Sequence, residues 1–200
     1  MILKSYQLDK IDIKKNKFIL FYGKNIGVKI DAIDFLKKKF SERNFLTYDE
    51  NQILDNSELF FDNILSGSLF ENKKKIIINR ATDKITKIFE YLLEKNLENT
   101  TIIVNAETLE KRSKLRSLFE KNKEMIIVPF YEDTFADLNK IVINFTKEKK
   151  ISLSQFDINL IINNCDGDRI NLINELDKIE QYSKYNKKIS TEVLKKLINL

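Results

Sequence analysis

Five short apolar runs alternate with stretches of helical periodicity in the first two thirds of the chain. No other feature constrains the fold as strongly. The runs are Phe18–Tyr22, Phe45–Tyr48, Lys75–Asn79, Thr101–Asn105 and Met125–Phe130. The apolar residues in them are consecutive, not alternating, so both faces of each strand are to be covered. Such strands belong to a parallel sheet with helices packed on both sides. Four stripes at helical spacing lie between them: Ile26, Ile30, Ile33 and Phe40; Phe60, Phe61, Ile64 and Leu65; Ile85, Ile88, Phe89, Leu92 and Leu93; Leu115, Leu118 and Phe119. Asp55, Asn56 and Ser57 are all N-cap types for the second stripe, and Gly67 is placed to end it. The expectation is an α/β domain with a five-stranded, parallel, doubly wound sheet.

After Tyr131 the pattern changes. Leu138, Ile141, Val142 and Phe145 form one helical stripe, and Leu153, Phe156, Leu160 and Ile161 a second. Leu172, Leu176 and Ile179 form a third, and Ser190 can cap a last helix carrying Val193, Leu194 and Leu197. The expected organisation is an α/β domain over 1–132 and a small all-helical lid domain over 133–200. Ahead of the first strand, the sequence predicts a short extended segment near Lys4–Leu8 and a basic loop at Lys14–Lys17.

The stretch from Phe18 to Phe40 reads as strand, loop and helix, the place of a phosphate-binding loop in a nucleotide-binding α/β protein. Against the pattern GxxxxGK[ST], the register fits from Gly23 to Lys29. Two decisive positions depart from it. Val28 stands where the second glycine belongs, and its Cβ hinders close approach of phosphate to backbone amides. Ile30 stands where a hydroxyl would ligate Mg²⁺, and it has no oxygen to offer. An ordinary strand-to-helix turn accounts for the stretch equally well.

Composition removes several kinds of chemistry. There is no histidine, which excludes Ser-His-Asp and Cys-His catalysis and imidazole metal sites. The single cysteine, Cys165, forms no intrachain disulfide and no cysteine cluster, and it reads as a small buried hydrophobe. No apolar run is long enough to span a membrane and no signal sequence is evident, so a cytoplasmic location is expected. The formal net charge of +5 points toward nucleic acid, but the heavy use of Lys, Asn and Ile follows AT-rich codons. The lysines at 37–39, 73–75 and 147–150 read as solvated helix ends and turns.

An active ATPase of this layout needs a strand ending in Asp-Glu to hold magnesium and polarise water. Here the third strand ends Ile78-Asn79-Arg80, and the fourth ends Val104-Asn105-Ala106-Glu107. A sheet domain followed by a helical lid is the layout of the AAA+ family. With both halves of the ATP machinery missing together, the chain resembles the delta subunit of the bacterial DNA polymerase III clamp loader. Four passages carry the resemblance: Leu20-Phe21-Tyr22-Gly23 onward to Ile33; Ser68-Leu69-Phe70 ahead of the third strand; Asn105 to Leu115; and Gly167-Asp168-Arg169 through Asn174-Glu175-Leu176-Asp177-Lys178-Ile179. Within the last passage, Glu175 and Lys178 are also an ordinary i,i+3 surface pair.

The resemblance implies a non-catalytic subunit with no cofactor and no metal. Gly23, Val28, Lys29 and Ile30 would be the remnant of a phosphate loop that binds no nucleotide. Ser68, Leu69 and Phe70 would form an exposed tip that enters a pocket on the sliding clamp, the beta subunit, and helps open it for loading on DNA. On the residues alone, Leu69 and Phe70 could equally fold back on their own helix. Family members continue into a further helical domain, a collar through which the loader subunits assemble. The sequence ends at Leu200 with no counterpart to it, so partnering with the other subunits through a collar is not expected. The zinc-bearing gamma/tau and delta-prime relatives carry a cysteine cluster that this chain lacks. Two other readings stay open: a P-loop ATPase or kinase with an unusual site, resting on Lys29, and a basic DNA-binding module. Weak DNA contact is compatible with each.

Overall fold

The computed structural model describes residues 1–12, 15–40, 45–65, 74–95, 97, 100–185 and 188–200. The chain divides into two compact units, Met1–Phe130 and Tyr131–Leu200. The first is built on five parallel strands: β1 (Phe18–Tyr22), β2 (Leu46–Asp49), β3 (Lys74–Ala81), β4 (Thr100–Ala106) and β5 (Met125–Pro129). Their order across the sheet is β2-β3-β4-β1-β5. The three inner strands β3, β4 and β1, and β5 beside them, each carry a consecutive buried apolar run, because each face of the sheet is covered there. β1 is buried along its whole length.

Helix α1 (Ile26–Lys39) covers one face, where Ile33 and Leu36 join Ile19, Phe21, Ile103 and Val128. The opposite face is covered by α2 (Glu50–Asp55), α3 (Ser57–Leu65), α4 (Thr86–Leu93) and α5 (Lys114–Lys121). There Phe89 sits between Phe18 and Phe119 in edge-to-face contacts, with ring centroids 5.7 and 5.4 Å apart. Such pairs add about 0.5–1.5 kcal/mol beyond their area burial.

Several sequence expectations are corrected in this unit. The segment near Lys4–Leu8 is not extended. It lies in a 3₁₀ helix, Ser5–Lys10, whose start is closed by the Lys4 N–H donating to Gln7 Oε1 at 3.1 Å. The extended chain is instead Met1–Leu3, which lies along β5: the Leu3 N–H donates to Ile127 O and the Ile127 N–H to Met1 O, both at 3.0 Å. The stripe read on α1 also fails in part. Ile33 and Phe40 are buried, but Ile26 and Ile30 are 57% and 48% exposed. The buried arc is Lys29, Ala32, Ile33 and Leu36, and Ile30 lies roughly a third of a turn from its centre. Lys75 is not a solvated lysine. It is buried, and its Nζ donates to Phe40 O at 3.1 Å. The region after β2 holds two helices where one was expected, and Asn56 caps the second by accepting from the Leu59 N–H at 3.2 Å.

The second unit contains α6 (Phe135–Lys149), α7 (Gln155–Asn164), α8 (Arg169–Tyr185) and α9 (Thr191–Leu197). They enclose a core of Leu138, Val142, Ile158, Ile161, Leu172, Leu176, Ile179 and Leu194. Phe156, read as part of the α7 stripe, is 61% exposed, and Ile158 and Ile162 take its place inside. Cys165 is buried in this core, and burial pushes its thiol up to about 11. Polar side chains fix each helix start. Thr134 and Asp137 cap α6 reciprocally, Ser154 and Asp157 cap α7, and Ser190 caps α9 by accepting from the Val193 N–H at 3.3 Å.

Asp157 also ties two helices together. Its carboxylate accepts from Ser154 Oγ at 2.6 Å and from Thr191 Oγ1 at 2.7 Å. Burial works against its ionisation, but these donors outweigh it and hold the carboxyl below the usual carboxylate range. A depressed folded value means that the stabilisation is fully present above the unfolded value. It is lost as pH falls through the folded one. We expect Asp157→Ala to cost about 1–3 kcal/mol at neutral pH, because it leaves Ser154 and Thr191 without their acceptor. The gap between variant and wild type in urea midpoint should narrow once the pH drops below about 4. A gap that stays constant through acid pH would show that the carboxylate contributes nothing through its charge.

Candidate functional site

The crossovers set where a ligand crevice would lie. The chain leaves β1 across the α1 face and leaves β4 across the opposite face, so the connections diverge between two neighbouring strands. In doubly wound sheets the crevice opens at that point, beyond the carboxyl ends of the strands. Here it falls between Tyr22 and Ala106.

Gly23 makes the turn out of β1. Its φ is +128°, and a Cβ there would lie 2.1 Å from Phe130 O. The turn is stitched to both neighbours: the Gly23 N–H donates to Glu107 O at 2.9 Å, and the Asn25 N–H to Phe130 O at 3.4 Å. Asn25 then caps α1, its Oδ1 accepting from the Val28 N–H at 3.2 Å. A phosphate at this helix start would need that same amide. The side chain of Asn25 therefore stands in for an anion.

Lys29 is turned inward. It is 4% exposed, and its Nζ donates to Ala106 O, the end of β4, at 2.7 Å. Burial lowers its pKa, and the nearby Glu107 partly restores it. The two contacts Gly23 to Glu107 and Lys29 to Ala106 bridge the crevice with the protein's own groups. Val28 packs against the α1-side core, and Ile30 faces solvent. The four loop residues singled out in the sequence are thus adjacent in space, and the one cation among them is engaged with a backbone carbonyl.

Beside the crevice, the ends of β3 and β4 carry amides. Asn105 Nδ2 donates to Asn79 Oδ1 at 3.1 Å. After Asn79 the pairing register shifts, and Arg80 sits at a φ of 57°, with its guanidinium paired to Asp49. Two carboxylates that sequence reasoning missed hold this region together. Glu50 is buried and accepts from the Thr82 N–H at 2.7 Å and from Thr82 Oγ1 at 2.8 Å. Asp83 accepts from Ser113 Oγ at 2.5 Å and from the Leu115 N–H at 3.0 Å. Burial opposes ionisation of Asp83, but these bonds at the start of α5 pull its carboxyl below the ordinary value. Their partners are about thirty residues distant in sequence, so no local spacing signals them. Asp83, with Thr82 and Ser113, lines an open cleft of about 660 Å³ together with Arg80, Lys84, Glu107, Leu109 and Arg112 among others.

The tip residues Ser68, Leu69 and Phe70 lie outside the described residues, as does Gly67. In sequence these residues follow α3, which ends at Leu65, and precede β3, which begins at Lys74. Leu59 and Leu65, on α3, are 55% and 40% exposed.

No family model matches the sequence. Protein Ycf2 of Physcomitrium patens is 26% identical over 171 residues, which are 80% of this chain and 6% of that protein. Among solved structures, the Bacillus subtilis DNA clamp loader delta protein aligns over 96% of this chain and 61% of its own, with 13% identity and a TM-score of 0.54. Domain III of the Thermotoga maritima replication initiation protein DnaA aligns over 98% and 88%, with 14% identity and a TM-score of 0.56. The Thermotoga maritima RuvB Holliday junction branch migration motor aligns over 92% and 61%, with 14% identity and a TM-score of 0.58. The chain thus spans about three fifths of the clamp loader delta protein and a small part of Ycf2. At these identities the likeness is one of fold, and the fold is AAA+-like.

Proposed function

We propose that this chain acts as a delta-type clamp-loader subunit. It binds the sliding clamp through Ser68, Leu69 and Phe70 and helps open it for loading on DNA during replication. The observation that carries the reading is the state of the phosphate loop. An AAA+-like frame is kept, while the groups that would hold a nucleotide are used internally. The Val28 amide is bonded to Asn25, the Lys29 ammonium to Ala106, and no carboxylate ends β3. A domain of this kind serves as a shaped support for a binding surface, not as a motor. The likeness in fold to a clamp loader delta protein supports the same reading. Co-purification of the chain with a bacterial sliding clamp tests it, and failure to associate at micromolar concentrations would reject it.

The reading makes a separate prediction about nucleotide. To bind phosphate, Lys29 would have to leave Ala106, and the Val28 amide would have to leave Asn25. Each group would lose a satisfied bond worth about 0.5–1.5 kcal/mol, and Ile30 would still offer no ligand to Mg²⁺. Calorimetric titration with Mg-ATP should be flat, and no phosphate release should be detected. Micromolar binding with turnover would favour the ATPase alternative.

A further inference from the structure

Strand β5 lies at one edge of the sheet, and its outer side is already occupied. The Phe130 N–H donates to Tyr22 O, so Ile126, Val128 and Phe130 turn their backbone groups toward β1. Met125, Ile127 and Pro129 therefore turn theirs outward, because successive peptide groups of a strand alternate in direction. Each outward donor has an acceptor. The Ile127 N–H donates to Met1 O at 3.0 Å, and the Met125 N–H to Asn122 O at 3.4 Å. Pro129 has no N–H to give. The carbonyls of Ile127 and Met125 accept from the Leu3 N–H and from the Met1 amino group.

Met1–Leu3 thus closes an edge that would otherwise be open. Ile2 is the residue opposite Ile127, and Met1 O and the Leu3 N–H on either side of it face β5. The N–H and C=O of Ile2 itself therefore face away, and they are all that this segment offers to a further strand. The segment is lightly held. Leu3 is buried in the α1-side core, but Met1 and Ile2 are exposed. The end of the 3₁₀ helix that follows is pinned to α1 by Lys39, whose Nζ donates to Asp9 O at 2.6 Å and to Ile11 O at 3.0 Å.

We infer that Met1–Leu3 is a displaceable guard, and that the β5 edge beneath it pairs with the β5 edge of a second copy of this chain when the guard is off. The edge is self-complementary. Ile127 presents both an N–H and a C=O outward, so two copies placed antiparallel across a two-fold axis exchange both bonds at Ile127. Met125–Val128 is an unbroken buried apolar run, of the kind that pairs when its edge opens. Pro129 limits the ladder, and a two-fold contact closes on itself, so the product is a dimer and not a fibre. The inference is independent of clamp binding.

The test is sedimentation equilibrium of the full chain over roughly a hundredfold range of concentration, with circular dichroism to establish folding. Wild type should stay monomeric. L3P removes the N–H that holds the guard and keeps an apolar side chain, and its weight-average mass should climb toward about twice the wild-type value. I2P removes only an N–H that faces away from β5, and it should stay monomeric. K39Q loosens the pin at an exposed position, so it should dimerise at higher concentration than L3P. K38Q makes the same charge change at the neighbouring residue and should not dimerise. Hydrogen exchange at the Ile127 amide should be at least about tenfold faster in dilute L3P than in wild type. A folded L3P that remains monomeric overturns the inference. So does a wild type, I2P or K38Q that dimerises as readily as L3P. If L3P does not fold, K39Q decides, and a K39Q that is monomeric across the range overturns the inference.

Discussion

Gly23→Ala should unfold or nearly unfold the sheet unit. The residue holds a φ of +128°, where an L-residue is strained, and the added methyl carbon would lie 2.1 Å from Phe130 O and 2.8 Å from Phe130 C. Backbone atoms cannot rotate away as a side chain does. Phe130 is also held from two sides, by its own N–H to Tyr22 O at 2.7 Å and by the Asn25 N–H to its carbonyl. Strain and overpacking together predict a loss of about 2–6 kcal/mol, a large share of the stability of an ordinary domain. Gly167 supplies the control. Its φ is +76°, but nothing lies within 4 Å of an added Cβ, so Gly167→Ala should cost only the backbone strain, about 1 kcal/mol. Urea unfolding of both variants, followed by circular dichroism, separates the cases. Equal midpoints for the two would show that the turn at Gly23 yields and that its contact with Phe130 is unimportant.

The order in which elements became legible follows from how local their causes are. The strands were readable because a doubly covered strand carries consecutive buried apolar residues, as β1, β3, β4 and β5 do. The cap at Ser190 was readable because a cap is a contact over three residues, and Asn56 was one of three candidates, with Asp55 and Ser57, for the helix it caps. Lys29 was not. A lysine after a glycine-bearing loop suggests a solvent-facing cation, and only the sheet order, which brings β4 beside β1, supplies Ala106 O as its partner. Ile26 and Ile30 were misplaced because an apolar residue in the first turns of a helix need not lie over the sheet. Glu50, Thr82, Asp83 and Ser113 escaped for the same reason as Lys29, since their pairing is created by the fold. Lys75 shows the converse: a charge run in the sequence can hold one member whose stem is buried and whose ammonium finds a carbonyl.

The second large effect is expected at the tip. If Leu69 and Phe70 enter a pocket on the clamp, each leaves water on binding, and full burial of either is worth roughly 1.5–3 kcal/mol. Removing both should weaken clamp binding by about 3–5 kcal/mol, a little less than additively because they are neighbours. That is about two to four orders of magnitude in affinity. The fold should be nearly indifferent, because side chains that reach a partner support no core of their own. If the two residues instead fold back onto the helices, truncation costs about 2–5 kcal/mol each in stability and the protein becomes insoluble or melts early. The two roles therefore move different observables.

The most direct measurement is a calorimetric titration of a bacterial sliding clamp into the wild-type chain and into Leu69→Ala with Phe70→Ala, with urea midpoints recorded for both proteins. The account predicts saturable binding by wild type, a loss of about two to four orders of magnitude in the double variant, and midpoints that agree. A wild-type chain that does not bind the clamp, or a stably folded double variant that binds as tightly as wild type, would contradict it.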